Sequence, residues 1–139
     1  ANDSEAEITA LSRWMHRELG PDVPLHFTAF HPDFKMTDRP ATTPQSVMRA
    51  RRIALDEGLR YVYTGNVHDT EGGTTSCPRC STPLVGRDWH HITAYRLQQG
   101  NCCPKCDFPL AGRFDQVDGE FRQFGRRRIP VSFAAPGSP

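Results

Sequence analysis

Four of the five cysteines fall in two C-x-x-C pairs, Cys77/Cys80 and Cys103/Cys106. One tight turn of this kind presents two thiolates on one side, and a tetrahedral ion takes four. The pairs belong to an internal repeat. Cys77-Pro78-Arg79-Cys80-Ser81-Thr82-Pro83-Leu84-Val85-Gly86-Arg87 recurs as Cys103-Pro104-Lys105-Cys106-Asp107-Phe108-Pro109-Leu110-Ala111-Gly112-Arg113, 26 residues on, with seven of eleven positions identical. Two such knuckles are expected to face each other across a pseudo-twofold and close one zinc site, Cys77, Cys80, Cys103 and Cys106. Four thiolates leave no open coordination position, so the expected role of the zinc is structural rather than catalytic. A redox dithiol or an iron–sulfur cluster is the competing use of such cysteines. Cys102 and Cys106 have the first spacing of a C-x3-C-x2-C cluster motif, but the position that would complete it is Pro109.

Many knuckles carry glycine after the second cysteine, where the backbone turns tightly. Here those positions are Ser81 and Asp107. Asp tolerates a left-handed backbone better than Ser does. The repeat register assigns the ligand role to Cys103 and leaves Cys102 as a bystander. His90 and His91 lack a partner at ligand spacing and read as one imidazole turned in and one turned out. An odd number of cysteines, four of them in C-x-x-C pairs, argues against a disulfide framework and for a reducing, cytoplasmic compartment.

A second set of chemistry-bearing residues is His26, Thr28, Tyr63, Thr64 and Asn66. They fall in two short runs of strand length, residues 23–30 and 61–66. Alternation along the first run turns Leu25, Phe27 and Ala29 one way and His26, Thr28 and Phe30 the other. If the two runs are parallel neighbours, polar side chains from both share one face near the strands' C-terminal ends. Open α/β sheets and barrels place ligands there. The loop His31-Pro32-Asp33-Phe34-Lys35-Met36 follows the first run and is positioned to line the same place. The plainer reading is a set of satisfied polar residues in a core.

The elements that must hold these residues are legible in order. Ser4 and Glu7 form a capping box. Ile8, Leu11, Met15 and Leu19 then supply an apolar helical stripe, which Gly20-Pro21 ends. Thr43 caps a second helix with Pro44 at its first turn. Val47, Met48, Ile53, Ala54 and Leu55 form its buried stripe, Arg49, Arg51 and Arg52 its solvated face, and Gly58 its end. Helix, strand, helix, strand implies a parallel pair joined by a crossover. Two strands cannot satisfy a parallel sheet, which is normally covered on both faces. The front half therefore reads as part of a larger α/β sheet or barrel, or as a piece that needs a partner. Residues 68–76, rich in Gly and Thr, read as a linker. Residues 89–97 read as a strand of the ribbon, with Gln98-Gln99-Gly100-Asn101 as the turn into the second knuckle.

The composition sets limits. In 139 residues the chain has 12 prolines and 11 glycines, a mean hydropathy of −0.60 and a net charge of +1. It reads as loop-rich, with a limited core. It has no global attraction for nucleic acid or a membrane surface, and no apolar run approaches the length of a membrane span. The chain starts at Ala1 rather than Met, which fits a fragment or a processed segment. The expected organisation is an α/β unit over 1–70, a zinc-ribbon-like unit over 71–125 and a basic, Pro/Gly-rich tail over 126–139, with Arg126-Arg127-Arg128 at its start.

Taken together, Pro24-Leu25-His26-Phe27-Thr28-Ala29-Phe30-His31-Pro32-Asp33-Phe34-Lys35-Met36, Ala50-Arg51-Arg52-Ile53-Ala54, Gly58-Leu59-Arg60-Tyr61-Val62-Tyr63-Thr64-Gly65-Asn66-Val67 and the paired knuckles resemble the C-terminal part of the AmmeMemoRadiSam system radical SAM enzymes. Those are in turn similar to pyruvate formate-lyase activating enzymes. The resemblance covers residues 8–115. It implies the last βα units of a partial (β/α)6 radical-SAM barrel, with 23–30 and 61–66 as its final strands, followed by a four-cysteine zinc ribbon. It implies that the intact enzyme binds a [4Fe-4S] cluster and S-adenosylmethionine and generates a 5′-deoxyadenosyl radical. His26, Thr28, Tyr63 and Asn66 would then help shape the cofactor or substrate site. It also implies partners of the Memo and Ammecr families, besides the rest of the barrel. The cluster-binding C-x3-C-x2-C segment is not in this sequence, so the chain alone is expected to perform no radical chemistry. The alternative reading is a stand-alone zinc-ribbon adaptor or interaction module.

Overall fold

The ends of the first helix follow from its caps. Ser4 accepts the Glu7 amide, and the Glu7 carboxylate reaches back to Ser4, so the capping box forms as its spacing requires. Helix α1 runs Glu5–Leu19 and stops at Gly20, whose φ of 88° lies in the left-handed region. Its buried residues are Ile8, Ser12 and Met15, while Leu11 and Leu19 of the expected stripe stay substantially exposed beside Trp14. The buried Ser12 costs little, because its hydroxyl donates to the Ile8 carbonyl one turn back.

A computed structural model describes residues 3–89 and 91–114. After α1 come β1 (Leu25–Thr28), α2 (Pro44–Asp56) and β2 (Val62–Gly65). The strands are parallel, pairing Leu25 with Val62, His26 with Tyr63, Phe27 with Thr64 and Thr28 with Gly65. This is the arrangement that helix–strand–helix–strand order implied. Thr43 caps α2 as expected, and past its end Gly58 (φ 96°) lets Leu59 donate to the Ala54 carbonyl. Val47, Ala50 and Ala54 are the buried residues of α2. Met15, Ala54, Leu59 and Val62 form a core that Leu25 and Phe27 flank from β1. Arg51 departs from the solvated face expected for it. Its side chain is largely covered, donates to the Val62 carbonyl and pairs with Glu71 at 2.9 Å.

The second half is a three-stranded antiparallel sheet, β3 (Thr75–Ser76), β4 (Pro83–Asp88) and β5 (His91–Tyr95), in that order. Its core is Cys77, Leu84, Val85, Cys103 and Leu110. Gln98 and Asn101 close the turn expected between β5 and the second knuckle, with Gly100 and Asn101 both at positive φ. Among the described residues no helix is long and apolar enough to cross a membrane. Phe121, Phe124, Arg126, Arg127, Arg128 and the tail over 126–139 lie outside the described residues.

Residues 68–76 are not a slack linker. The Thr64 amide donates to the Gly72 carbonyl, so this loop pairs with the edge of β2 that β1 does not use. Asp69 fixes it by accepting from the Thr64 hydroxyl at 2.9 Å and from the Gly72 amide at 3.0 Å. Composition misleads here because each glycine answers a close approach. A Cβ at Gly72 would lie 2.1 Å from Thr64 Oγ1 and 2.3 Å from Asp69 Oδ2, and one at Gly73 would lie 2.9 Å from the Arg87 carbonyl oxygen. Gly72→Ala must break the Thr64–Asp69 hydrogen bond or push the loop off β2. Its expected cost is about 1–3 kcal/mol, read by urea unfolding against the unsubstituted chain. A cost indistinguishable from zero would mean that the loop is not packed in this way.

Candidate metal centre and open strand face

The two knuckles fold alike because their backbones make the same bonds 26 residues apart. Cys77 N–H donates to the Thr82 carbonyl and Ser81 N–H to the Cys77 carbonyl, both at 2.9 Å. Cys103 N–H donates to the Phe108 carbonyl at 3.0 Å and Asp107 N–H to the Cys103 carbonyl at 2.9 Å. Ser81 and Asp107 adopt φ of 58° and 55°, the left-handed turn for which glycine is the usual choice. Neither substitution prevents the knuckle. The serine position carries the larger strain of the two, because an Asp side chain tolerates this region better.

The four sulfurs converge. Cys77 Sγ lies 3.6 Å from Cys106 Sγ, and Cys80 Sγ lies 3.6 Å from Cys103 Sγ. Each short edge joins the first cysteine of one knuckle to the second of the other, as a pseudo-twofold demands. All four sulfurs lie within 4.8 Å of one another, and all are free thiols. A regular tetrahedron with metal–sulfur bonds of about 2.3 Å has sulfur–sulfur edges of about 3.8 Å. A disulfide needs about 2.05 Å. The spacing suits a shared ion and not a pair of disulfides.

Electrostatics point the same way. The Thr82 hydroxyl and then its amide hold the Cys80 thiol down at about 6. The Phe108 amide also favours the Cys106 thiolate, yet burial and the thiols of Cys80, Cys77 and Cys103 push it up to about 12. Neighbouring sulfurs cannot all carry charge on their own, and a bound cation removes that conflict. Arg79 ties the knuckles together, donating to the Cys106 carbonyl at 3.3 Å and lying 5.0 Å from the Phe108 ring centroid.

Among the described residues no other group of three His, Cys, Asp or Glu side chains gathers for a metal. His91 opens β5 on the exposed side, and His90 lies outside the described residues. Cys102 stays out of the quartet, its thiol donating to the Gly100 carbonyl at 3.5 Å.

The second candidate set is mostly brought together. The helices cover the Leu25/Phe27 face of the strand pair, and His26, Thr28 and Tyr63 project from the other face. The His26 and Tyr63 rings pack at a tilt of 31° with centroids 4.9 Å apart. Asn66, just past the end of β2 at φ 58°, donates to the Ala29 carbonyl, which holds the two strand ends together. Thr64 belongs to the helix-side register, and Asp69 occupies its hydroxyl. In the loop after β1, Phe34 is almost fully exposed at φ 50°, with Lys35 Nζ 5.4 Å from its ring centroid.

The open face is the floor of a cleft of about 580 Å³ whose far wall is the ribbon. Sequence reasoning did not assign Tyr61, His68, Arg87 and Trp89 to it. Arg87 occupies one of the repeated positions, which was the only hint. The contact that carries His68 onto Trp89, with Nε1–H donating to His68 Nδ1 at 3.1 Å, leaves no mark in the sequence. Tyr63 and Thr75 hydroxyls lie 2.8 Å apart, and Arg87 donates to Thr75 Oγ1 at 2.9 Å, so β2 and the ribbon share one polar seam.

Fold and site thus define a mixed α/β protein with a four-cysteine group, zinc-ribbon-like in form, that could hold a metal ion. No family model and no solved structure matches the chain. It is similar to MJ0808, an uncharacterized protein of Methanocaldococcus jannaschii, with 44% identity over 86 residues that cover 62% of this chain and 26% of that protein. The chain spans about a quarter of the length of the curated relative it matches.

Proposed function

We propose that this chain is the C-terminal portion of a radical S-adenosylmethionine enzyme of the AmmeMemoRadiSam type. It supplies the last two βα units of a partial (β/α)6 barrel and a structural zinc ribbon. The observation that carries the reading is the β1–β2 pair. One face is apolar and covered by helices, while the other bears His26 and Tyr63 over a cleft, with Thr28 on the same face but outside the cleft lining. On β1 the Leu25 and Ala29 amides bond toward β2. By the alternation of a parallel ladder, the His26 and Thr28 amides face outward. Among the described residues no strand lies beside that outer edge. A parallel edge of this kind is where a preceding barrel strand would pair. The exposed Leu11 and Trp14 of α1 suit a helix that also packs against a preceding unit. The relative extends well beyond the matched segment, which covers 26% of it.

On this reading His26, Thr28, Tyr63 and Asn66 face the barrel interior and shape the S-adenosylmethionine or substrate cavity. The [4Fe-4S] cluster, which with S-adenosylmethionine supplies the 5′-deoxyadenosyl radical, belongs to the rest of the barrel. The four sulfurs here gather within 4.8 Å of one another, a spacing that suits one tetrahedral ion, and Cys102 stands apart from them. Zinc is the metal assigned, because an all-thiolate tetrahedral site suits it. A cytoplasmic compartment goes with free thiolates. The partners are the remainder of the barrel and proteins of the Memo and Ammecr families.

The test is the reading frame upstream of Ala1 and the longer protein it encodes. That protein is expected to contain C-x3-C-x2-C. Reconstituted anaerobically with iron and sulfide, it is expected to show a [4Fe-4S] signal and to cleave S-adenosylmethionine to 5′-deoxyadenosine. An upstream frame without that motif, or a start codon just before Ala1, would sink the reading and favour the zinc-ribbon adaptor.

A further inference from the structure

The seam between strand and ribbon leaves hydrogen-bond donors unspent. Arg87 stands on β4 with its guanidinium carbon 5.6 Å from the Tyr63 ring centroid. Only its Nη1 is engaged, with Thr75 Oγ1 at 2.9 Å and the Gly73 carbonyl at 3.4 Å. Among the described residues, Nε and Nη2 have no hydrogen-bond partner, and no carboxylate pairs with this half-buried cation. Nearby, Tyr61 is only 5% exposed, and among the described residues its hydroxyl has no hydrogen-bond partner. Burial pushes its pKa up, and the Ala111 backbone amide offsets this partly without reaching hydrogen-bond geometry. A neutral, buried phenol is a donor in search of an acceptor. Both residues line the same cleft, as do Tyr63, Trp89 and Phe114, with the Tyr61 hydroxyl just beneath its surface.

A guanidinium fork and a phenol in one cleft lining are donors suited to an oxyanion. Aromatic side chains in a cleft wall recognise a flat ring. The geometry points to a binding site for a small molecule that carries a planar ring and an anionic group, carboxylate or phosphate. Arg87 and Tyr61 hold the oxygens, and Tyr63, Trp89 and Phe114 flank the ring. Two carboxylates share the lining. Asp69 is saturated by Thr64 and Gly72, and Asp88 sits exposed at the rim. The cleft therefore selects through directed hydrogen bonds rather than through net positive charge. The ribbon becomes part of the binding site, because β4 carries Arg87. The inference does not need the barrel reading: the site is built wholly from this chain's own residues.

The experiment titrates the metal-loaded chain with benzoate, phenyl phosphate and the neutral control benzyl alcohol, followed by amide and Trp indole NMR shifts. One or both anions are expected to shift the resonances of Arg87, Tyr63 and Trp89 saturably, and the stronger of the two names the anion class. Arg87→Gln is expected to weaken that binding at least tenfold while leaving the response to benzyl alcohol unchanged. Tyr61→Phe is expected to weaken it a few-fold. Should Arg87→Gln misfold, Arg87→Lys keeps the charge and loses the fork, and is expected to give an intermediate loss. Neither anion shifting the cleft, or both variants binding as tightly as the original chain, overturns the proposal. Its failure is distinct from failure of the barrel reading, which rests on the upstream cysteines and on cleavage of S-adenosylmethionine.

Discussion

Cys77→Ser, or removal of the metal by a strong chelator, is expected to unfold residues 77–113. Two of the five buried residues at the centre of the ribbon are the cysteines Cys77 and Cys103 themselves. The remaining three, Leu84, Val85 and Leu110, contribute only about 1.5–3 kcal/mol each on burial. Apparent zinc binding in comparable peptides is worth roughly 10–16 kcal/mol, and that free energy is folding free energy. Breaking one of four ligands also leaves three crowded sulfurs, of which Cys106 already resists ionisation. The expected readout is loss of metal by elemental analysis, from one zinc per chain to none, together with collapse of the ribbon's amide dispersion. Helical dichroism from α1 and α2 should largely survive, because the core around Leu59 is a separate cluster. Cys102→Ser is the control, and it should change neither zinc content nor dispersion, since that sulfur stands outside the quartet. Unchanged zinc content and unchanged amide dispersion of the ribbon after Cys77→Ser would show that the four-thiolate assignment is wrong.

Features set by local rules were legible in the residues. The capping box at Ser4, the Pro44 start of α2 and the C-x-x-C turns each depend on a few neighbouring side chains, and each formed as read. Long-range packing was not legible. Helical spacing puts Leu11 and Leu19 in the stripe of α1, yet Ser12 is buried instead, because its hydroxyl satisfies itself on the helix backbone while the pattern alone counts it as polar. Arg51 reads as a solvated charge until Glu71 and the Val62 carbonyl meet it. The glycines of 68–76 look like slack and turn out to be close contacts. The site divides in the same way. The cysteine quartet is a repeat within one sequence and can be counted. The cleft is made where β2 meets β4, so Arg87 and Tyr61 become candidates only once the fold brings them to one seam.

Leu59→Ala is the second large effect expected, and it separates the two halves of the chain energetically. Leu59 sits in the turn from α2 to β2, is 2% exposed, and belongs to the core that joins Met15 of α1, Ala54 of α2 and Val62 of β2. Truncating a leucine at such a junction removes its transfer free energy and leaves a cavity that three elements would have to move to fill. The usual cost is about 2–5 kcal/mol. Against a typical total stability of about 5–15 kcal/mol for a domain, that is a large share. Leu11→Ala, on the exposed side of α1, should stay within about 0.5 kcal/mol. Urea unfolding followed at the helical band gives both numbers, and zinc content measured on the same samples gives the contrast. Leu59→Ala should lower the midpoint of the helical transition yet leave one zinc bound, because no cysteine belongs to its cluster. Loss of zinc together with the helices would mean that the Tyr63–Thr75–Arg87 seam couples the halves into one cooperative unit, and the cleft between them would then depend on both cores at once.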